Sequence, residues 1–130
     1  MKQLCFSLLI IATVFSTRAS GQLKVPALSP TAKITQDFSL STIEISYSRP
    51  SMRGRKIFGD IIPFGQVWRT GANAATKIKI GEELEFGGIK LKPGEYALYT
   101  IPGKEKWQVI LNTGTSNWGT NGYAKEDDVA

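Results

Sequence analysis

A chain of 130 residues with sixteen basic and eleven acidic side chains, no histidine and one cysteine is restricted in its chemistry before any motif is read. Without histidine, serine–histidine–aspartate and cysteine–histidine catalysis are excluded, and zinc, copper and haem sites lose their usual ligands. The net charge of +5 is too mild to argue for a nucleic-acid partner.

The first 21 residues read as a signal peptide. Met1-Lys2 is a short positive start, and the apolar run 4–15 has the roughly 7–15-residue length of a signal-peptide core, short of the ~20 residues of a membrane span. Ala19 and Gly21 put small side chains where a signal peptidase requires them, which predicts cleavage before Gln22. Removing 21 of 130 residues leaves 109, with fourteen basic against eleven acidic residues. Cys5 leaves with the peptide, so no disulfide supports the mature chain. No later segment is apolar for long enough to be transmembrane. The expectation is one exported β-rich domain, residues 22–130, located in the periplasm or outside the cell.

Taken in chain order, residues 33–38 and 43–48 alternate as an antiparallel pair. Residues 76–80 alternate next, with Ile78 and Ile80 inward and Lys77 and Lys79 outward. Glu83-Leu84-Glu85-Phe86 and Ile89-Lys90-Leu91-Lys92 flank Gly87-Gly88, a pair suited to a two-residue hairpin turn. One register sets Phe86 against Ile89 and Leu84 against Leu91, and also Glu85 against Lys90 and Glu83 against Lys92, so both faces agree. Pro93-Gly94 turns into residues 96–101, apolar on both faces and therefore a central strand. Trp107, Val109 and Leu111 alternate along the strand after it, which places Trp107 in the core. No segment of the mature chain has a helical period. These elements predict an all-β fold, an antiparallel β-sandwich or a partly open barrel.

Residues 49–75 break the pattern, with Pro50, Gly54, Gly59, Pro63, Gly65 and Gly71 among large apolar side chains. A connection of that length is uncommon and often functional. The plainer expectation is a folded-over loop with a short strand at 66–69, plugging one end of the barrel. At the C-terminus, Glu126-Asp127-Asp128 leads into Val129-Ala130 like a loop entering a strand. The expectation is a fragment lacking its C-terminal strands, with an unpaired sheet edge.

Three stretches carry a family resemblance. They are Tyr47-Ser48-Arg49-Pro50-Ser51 with Arg53-Gly54-Arg55-Lys56-Ile57-Phe58-Gly59, then Ile62-Pro63-Phe64-Gly65-Gln66-Val67-Trp68-Arg69-Thr70-Gly71-Ala72-Asn73, then 91–103 with 107–112 and Asn117-Trp118-Gly119. Together they resemble an exported bacterial family catalogued as domain of unknown function 2911, over roughly residues 26–130. The resemblance implies an exported β-rich domain whose members run further at the C-terminus. It implies no reaction, no cofactor and no catalytic residues.

Among the charged groups, Glu82, Glu83 and Glu85 read as solvated surface, and Asp60 or Glu95 as lone acids where glycoside cleavage needs a spaced pair. Glu126, Asp127 and Asp128 lack the ligand spacing of a calcium loop. The phosphate-cradling and dinucleotide glycine motifs are absent from the sequence. No metal, cofactor or catalytic residue is expected. The stronger candidate is basic. Arg49, Arg53 and Arg55 lie at one edge of the irregular region, and Arg69, Thr70 and Asn73 at the other. Arginine grips a carboxylate or phosphate through a planar fork, although a structural arginine tying down loop carbonyls is the plainer role for Arg69. Trp118, in the loop 114–122, offers a ring for stacking. The expected function is a non-catalytic binding module for a small anionic or carbohydrate-like ligand, with Arg49, Arg53, Arg69, Asn73 and Trp118 as ligand-binding residues. The alternatives are a hydrolase using Asp60 or Glu95, and an envelope structural or protein-interaction module.

Overall fold

The computed structural model describes residues 25–130, so the expected signal peptide and its cleavage point before Gln22 lie outside the described residues. The chain forms β1 (Thr31–Phe38), β2 (Ser41–Ser48), β3 (Thr76–Ile80), β4 (Leu84–Phe86), β5 (Ile89–Leu91), β6 (Gly94–Ile101) and β7 (Gln108–Asn112), followed by one 3₁₀ turn at Lys125–Asp127. Five strands pair in the order β1-β2-β3-β6-β7, every neighbour antiparallel, and β4-β5 make a separate two-stranded ribbon. The fold is all-β and sandwich-like, and its sheets do not close into a barrel.

The hairpin adopts the register that both of its faces demand: Leu84 pairs with Leu91, Glu85 with Lys90 and Phe86 with Ile89. Positive φ angles of 60° at Gly87 and 85° at Gly88 make the turn that only glycine adopts without strain. The ribbon folds over one face of the large sheet. Leu84, Phe86 and Leu91 meet Ile78, Ile80, Tyr96 and Leu111 there, with Ile43, Ile45 and Leu98 at the margin. Leu91 and Leu111 are fully enclosed, and burying each stabilises the fold by roughly 2–3 kcal/mol.

Strand β6, interior to the sheet between β3 and β7, is covered on both faces. Tyr96 and Leu98 join the core under the ribbon, while Ala97 and Tyr99 point the other way, into a second cluster with Ala75, Val67, Ile110 and Tyr123. The wet end of that second face carries the ion pairs Lys33–Glu44 at 2.7 Å and Lys77–Glu95 at 3.0 Å. Exposed pairs of this kind contribute at most about 1 kcal/mol.

Three expectations change on contact with the tertiary structure. Trp107 is not core: it lies just before β7 and is 44% exposed. It rests on Phe58 with ring centroids 4.7 Å apart, and Phe58 and Trp68 complete an edge-on group of three rings. Residues 66–69 do not form a strand. A single antiparallel bridge, Trp68 to Thr100, replaces it, because β3 already occupies that side of β6 as far as Leu98. The outer edge of β7 is covered only at its C-terminal end, where residues 127–130 run beside it, with Val129 donating to Leu111 and Leu111 to Ala130 at 2.8 and 2.9 Å.

Candidate functional site

The bridge at Trp68 positions the candidate site. Beyond Thr76, where β3 ends its pairing with β6, the chain 68–75 takes over the same edge and then leaves the sheet as a lobe. The lobe is closed by its own polar groups. Thr76 donates its amide to the Arg69 carbonyl at 3.1 Å and its hydroxyl to the Thr70 carbonyl at 2.8 Å. The hydroxyls of Thr70 and Thr100 lie 3.0 Å apart, and the Gly119 amide donates to the Asn73 carbonyl at 3.0 Å. Gly71 lets the lobe approach β2: a Cβ there would lie 3.1 Å from the Ser48 carbonyl oxygen.

Thr70 and Asn73 both adopt left-handed backbone, with φ of 53° and 62°. For the β-branched Thr70 this conformation is strained by about 1–3 kcal/mol. Surrounding hydrogen bonds hold it, and the result is a rigid platform that turns Arg69 toward a cleft.

That cleft, of about 680 Å³, is the largest of three around this region. Arg69, Gly71, Ala72 and Asn73 of the lobe, with Ser29 and Thr120, make its polar side, and Met52, Ile57, Ile61, Ile62, Pro63, Val67 and Trp68 its apolar wall. Arg55 also lines it, but the Arg55 side chain is folded back on its own loop, with Nε donating to the Met52 carbonyl and Nη2 to the Ser51 carbonyl, both at 3.0 Å. Neither Asp nor Glu lines the cleft.

Arg69 is half-buried. Its Nε is shielded from solvent and has no hydrogen-bond partner, and the two ion pairs among the described residues belong to lysines. A charged donor taken partly out of water without an acceptor costs free energy. Asn73 makes only long contacts from Nδ2, 3.5 Å to the Ser29 carbonyl and 3.4 Å to the Ser48 hydroxyl. Its amide therefore remains available.

The five residues singled out from sequence do not all meet. Arg69 and Asn73 share the large cleft; Arg53 lines a neighbouring one of about 400 Å³ that shares Ser29, Pro50, Ser51 and Arg55 with it. Arg49 lines none of the three clefts. Trp118, 66% exposed, faces a third of about 350 Å³, on which Asn73 also borders. Asp60 is exposed outside the cleft and Glu95 is paired with Lys77. Among the described residues no group of three or more Asp, Glu, His or Cys is arranged to hold a metal ion. Asp128 accepts hydrogen bonds from Asn112 at 2.8 Å and Tyr123 at 2.7 Å.

Sequence reasoning missed the isoleucine wall and the contribution of Ser29 and Thr120. The density of apolar residues at 57–62 was a signal for the first. Nothing local marks Ser29 or Thr120, which arrive from distant parts of the chain.

No helix among the described residues is long and apolar enough to cross a membrane. Comparison with curated proteins and with solved structures gives no match. Residues 29–130 match the family model described as "Protein of unknown function (DUF2911)", which covers the lobe, the cleft and every strand. The chain belongs to the DUF2911 family.

Proposed function

We propose that this protein is an exported binding domain for a small anionic ligand, held in the cleft between the 69–73 lobe and the 52–63 loop. One observation carries the reading: Arg69 stands half-buried in the wall of a cleft that holds no carboxylate, with a shielded Nε that no protein acceptor satisfies. A volume of about 680 Å³ lies within the range of small-molecule sites. Arg69 fixes the charge of a bound oxyanion through its planar fork, and Asn73 orients a neighbouring polar atom. Export is read from the apolar segment 4–15 and the small residues before Gln22.

Thermal unfolding in the presence of carboxylates, phosphorylated compounds and neutral glycans tests the ligand class. A compound at a hundred times its Kd stabilises the folded protein by roughly 2.7 kcal/mol, and that gain disappears in Arg69→Ala. N-terminal sequencing of the protein recovered from outside the cytoplasm tests export, with Gln22 as the expected first residue. If none of the anions shifts the transition, the cleft is not an anion site.

A further inference from the structure

We infer that the anion carries an apolar body, so that the ligand class is a monocarboxylate with an alkyl or aryl tail; this rests on the anion-binding reading and narrows it. Two observations carry the inference. The first is the charge available. Arg55 has Nε and Nη2 engaged by the carbonyls of Met52 and Ser51, which leaves Arg69, whose buried Nε has no partner, as the guanidinium available on the cleft wall. One free planar fork grips one carboxylate through two hydrogen bonds, while Arg55, its donors engaged, contributes charge at longer range.

The second observation is the wall. The polar groups come from the 69–73 lobe, which is fastened to Gly119 through the Asn73 carbonyl. The apolar groups come from a different loop. Ile57 and Ile62 belong to a turn closed by the Ile62 amide donating to the Ile57 carbonyl at 2.9 Å, and that turn is braced on Trp68 through Phe58. Head and tail subsites are thus built by separate segments. Ser51 and Gln66 also line the cleft, but Ile57, Ile61 and Ile62 offer no hydrogen-bond partner to the hydroxyls of a sugar, which would be desolvated against them. A hydrocarbon chain or ring loses nothing by entering it. Ile61, on the cleft wall, is 49% exposed and so within reach of an apolar ligand.

Calorimetric titration of the purified protein with acetate, hexanoate, octanoate and decanoate, with decanol and inorganic phosphate as controls, tests this. Kd should fall about three- to fourfold per added methylene until the cleft is filled. Decanol should bind at least tenfold more weakly than decanoate, and Arg69→Ala should erase that difference. Ile61→Ser, a change at an exposed position of the apolar wall, should flatten the chain-length dependence. Acetate and phosphate binding as tightly as decanoate, with Arg69 still required, would overturn the apolar-body inference and leave the anion site standing. Chain-length dependence that survives Arg69→Ala and extends to decanol would overturn both, and so would the absence of binding by every compound.

Discussion

Trp68 and Thr100 exchange both of their backbone hydrogen bonds, at 2.7 Å from the Trp68 amide and 2.9 Å from the Thr100 amide. This one bridge extends the β3 side of β6 past the end of β3, and the next residue, Arg69, is delivered to the cleft. The Trp68 ring meanwhile packs edge-on against Phe58 and Trp107, centroids 5.6 and 6.3 Å away. One residue therefore couples the rigid sheet, the lobe and the apolar loop. Replacing it by alanine removes a half-buried ring and should lower stability by about 2–3 kcal/mol, measured by denaturant unfolding. A loss below about 1 kcal/mol would mean the three rings do not support one another.

Arg69→Met separates a ligand-binding arginine from a structural one. The shielded Nε of Arg69 lacks a partner, so a methionine of similar reach removes an unsatisfied charged donor. The variant should equal the parent in stability or exceed it by up to about 1 kcal/mol, as expected where function opposes stability. It should also lose the ligand-induced shift. A decrease of about 2 kcal/mol or more would make Arg69 a structural residue of the loop.

Two glycines distinguish backbone strain from steric conflict. Gly65 and Gly122 have φ of 76° and 82°. A Cβ on Gly65 meets nothing within 4 Å, whereas one on Gly122 would lie 2.6 Å from Asn117 Oδ1. Asn117 has little room to yield, since its Nδ2 lies 3.1 to 3.3 Å from the Gly114 carbonyl, the Gly122 carbonyl and the Tyr99 hydroxyl, which share its two hydrogens. Gly65→Ala should cost about 1 kcal/mol and Gly122→Ala about 2–3 kcal/mol in thermal unfolding. Equal costs would show that the Asn117 contact yields freely.

Tyr123 predicts an alkaline limit to stability. Its hydroxyl donates to Asp128 Oδ2 at 2.7 Å, and its pKa is pushed up to about 12, first by burial, then by that hydrogen bond and the Asp128 charge. The folded pKa lies above the ordinary value of 10.0, so the neutral phenol is favoured by folding. Its contribution is complete below pH ~10 and is lost as pH rises from there through about 12. Urea unfolding at pH ~9 and pH ~11.5 should show a smaller decline in Tyr123→Phe than in the parent. At pH ~9 the variant should be about 1 kcal/mol less stable through the lost hydrogen bond. Identical declines in the two proteins would place the titrating group elsewhere.

Much of the fold was legible because β structure writes itself locally. The β4–β5 register follows from residues within nine positions of one another, where two faces impose the same pairing. The interior place of β6, covered on both sides, follows from its two apolar faces. Trp107 was misjudged as core because alternation identifies a face without showing what covers it: Phe58, almost fifty residues earlier, packs on its ring while leaving nearly half of it in solvent. Arg69 and Asn73 could be picked out as an arginine and an amide beside a glycine turn. Their separation from Arg49, their shared cleft and the unpartnered Nε could not.

The sequence by itself determined the strands, the hairpin, an all-β architecture and a chemistry without histidine, since these depend on side-chain alternation, turn residues and composition. Only the tertiary structure decided which of five candidate residues face one cleft, and that isoleucines from a separate loop complete it. The reason is physical. Alternation and turn geometry act over a few residues along the chain, whereas a cleft wall is assembled by contacts between segments far apart in sequence, whose adjacency is settled by the packing of the whole sheet.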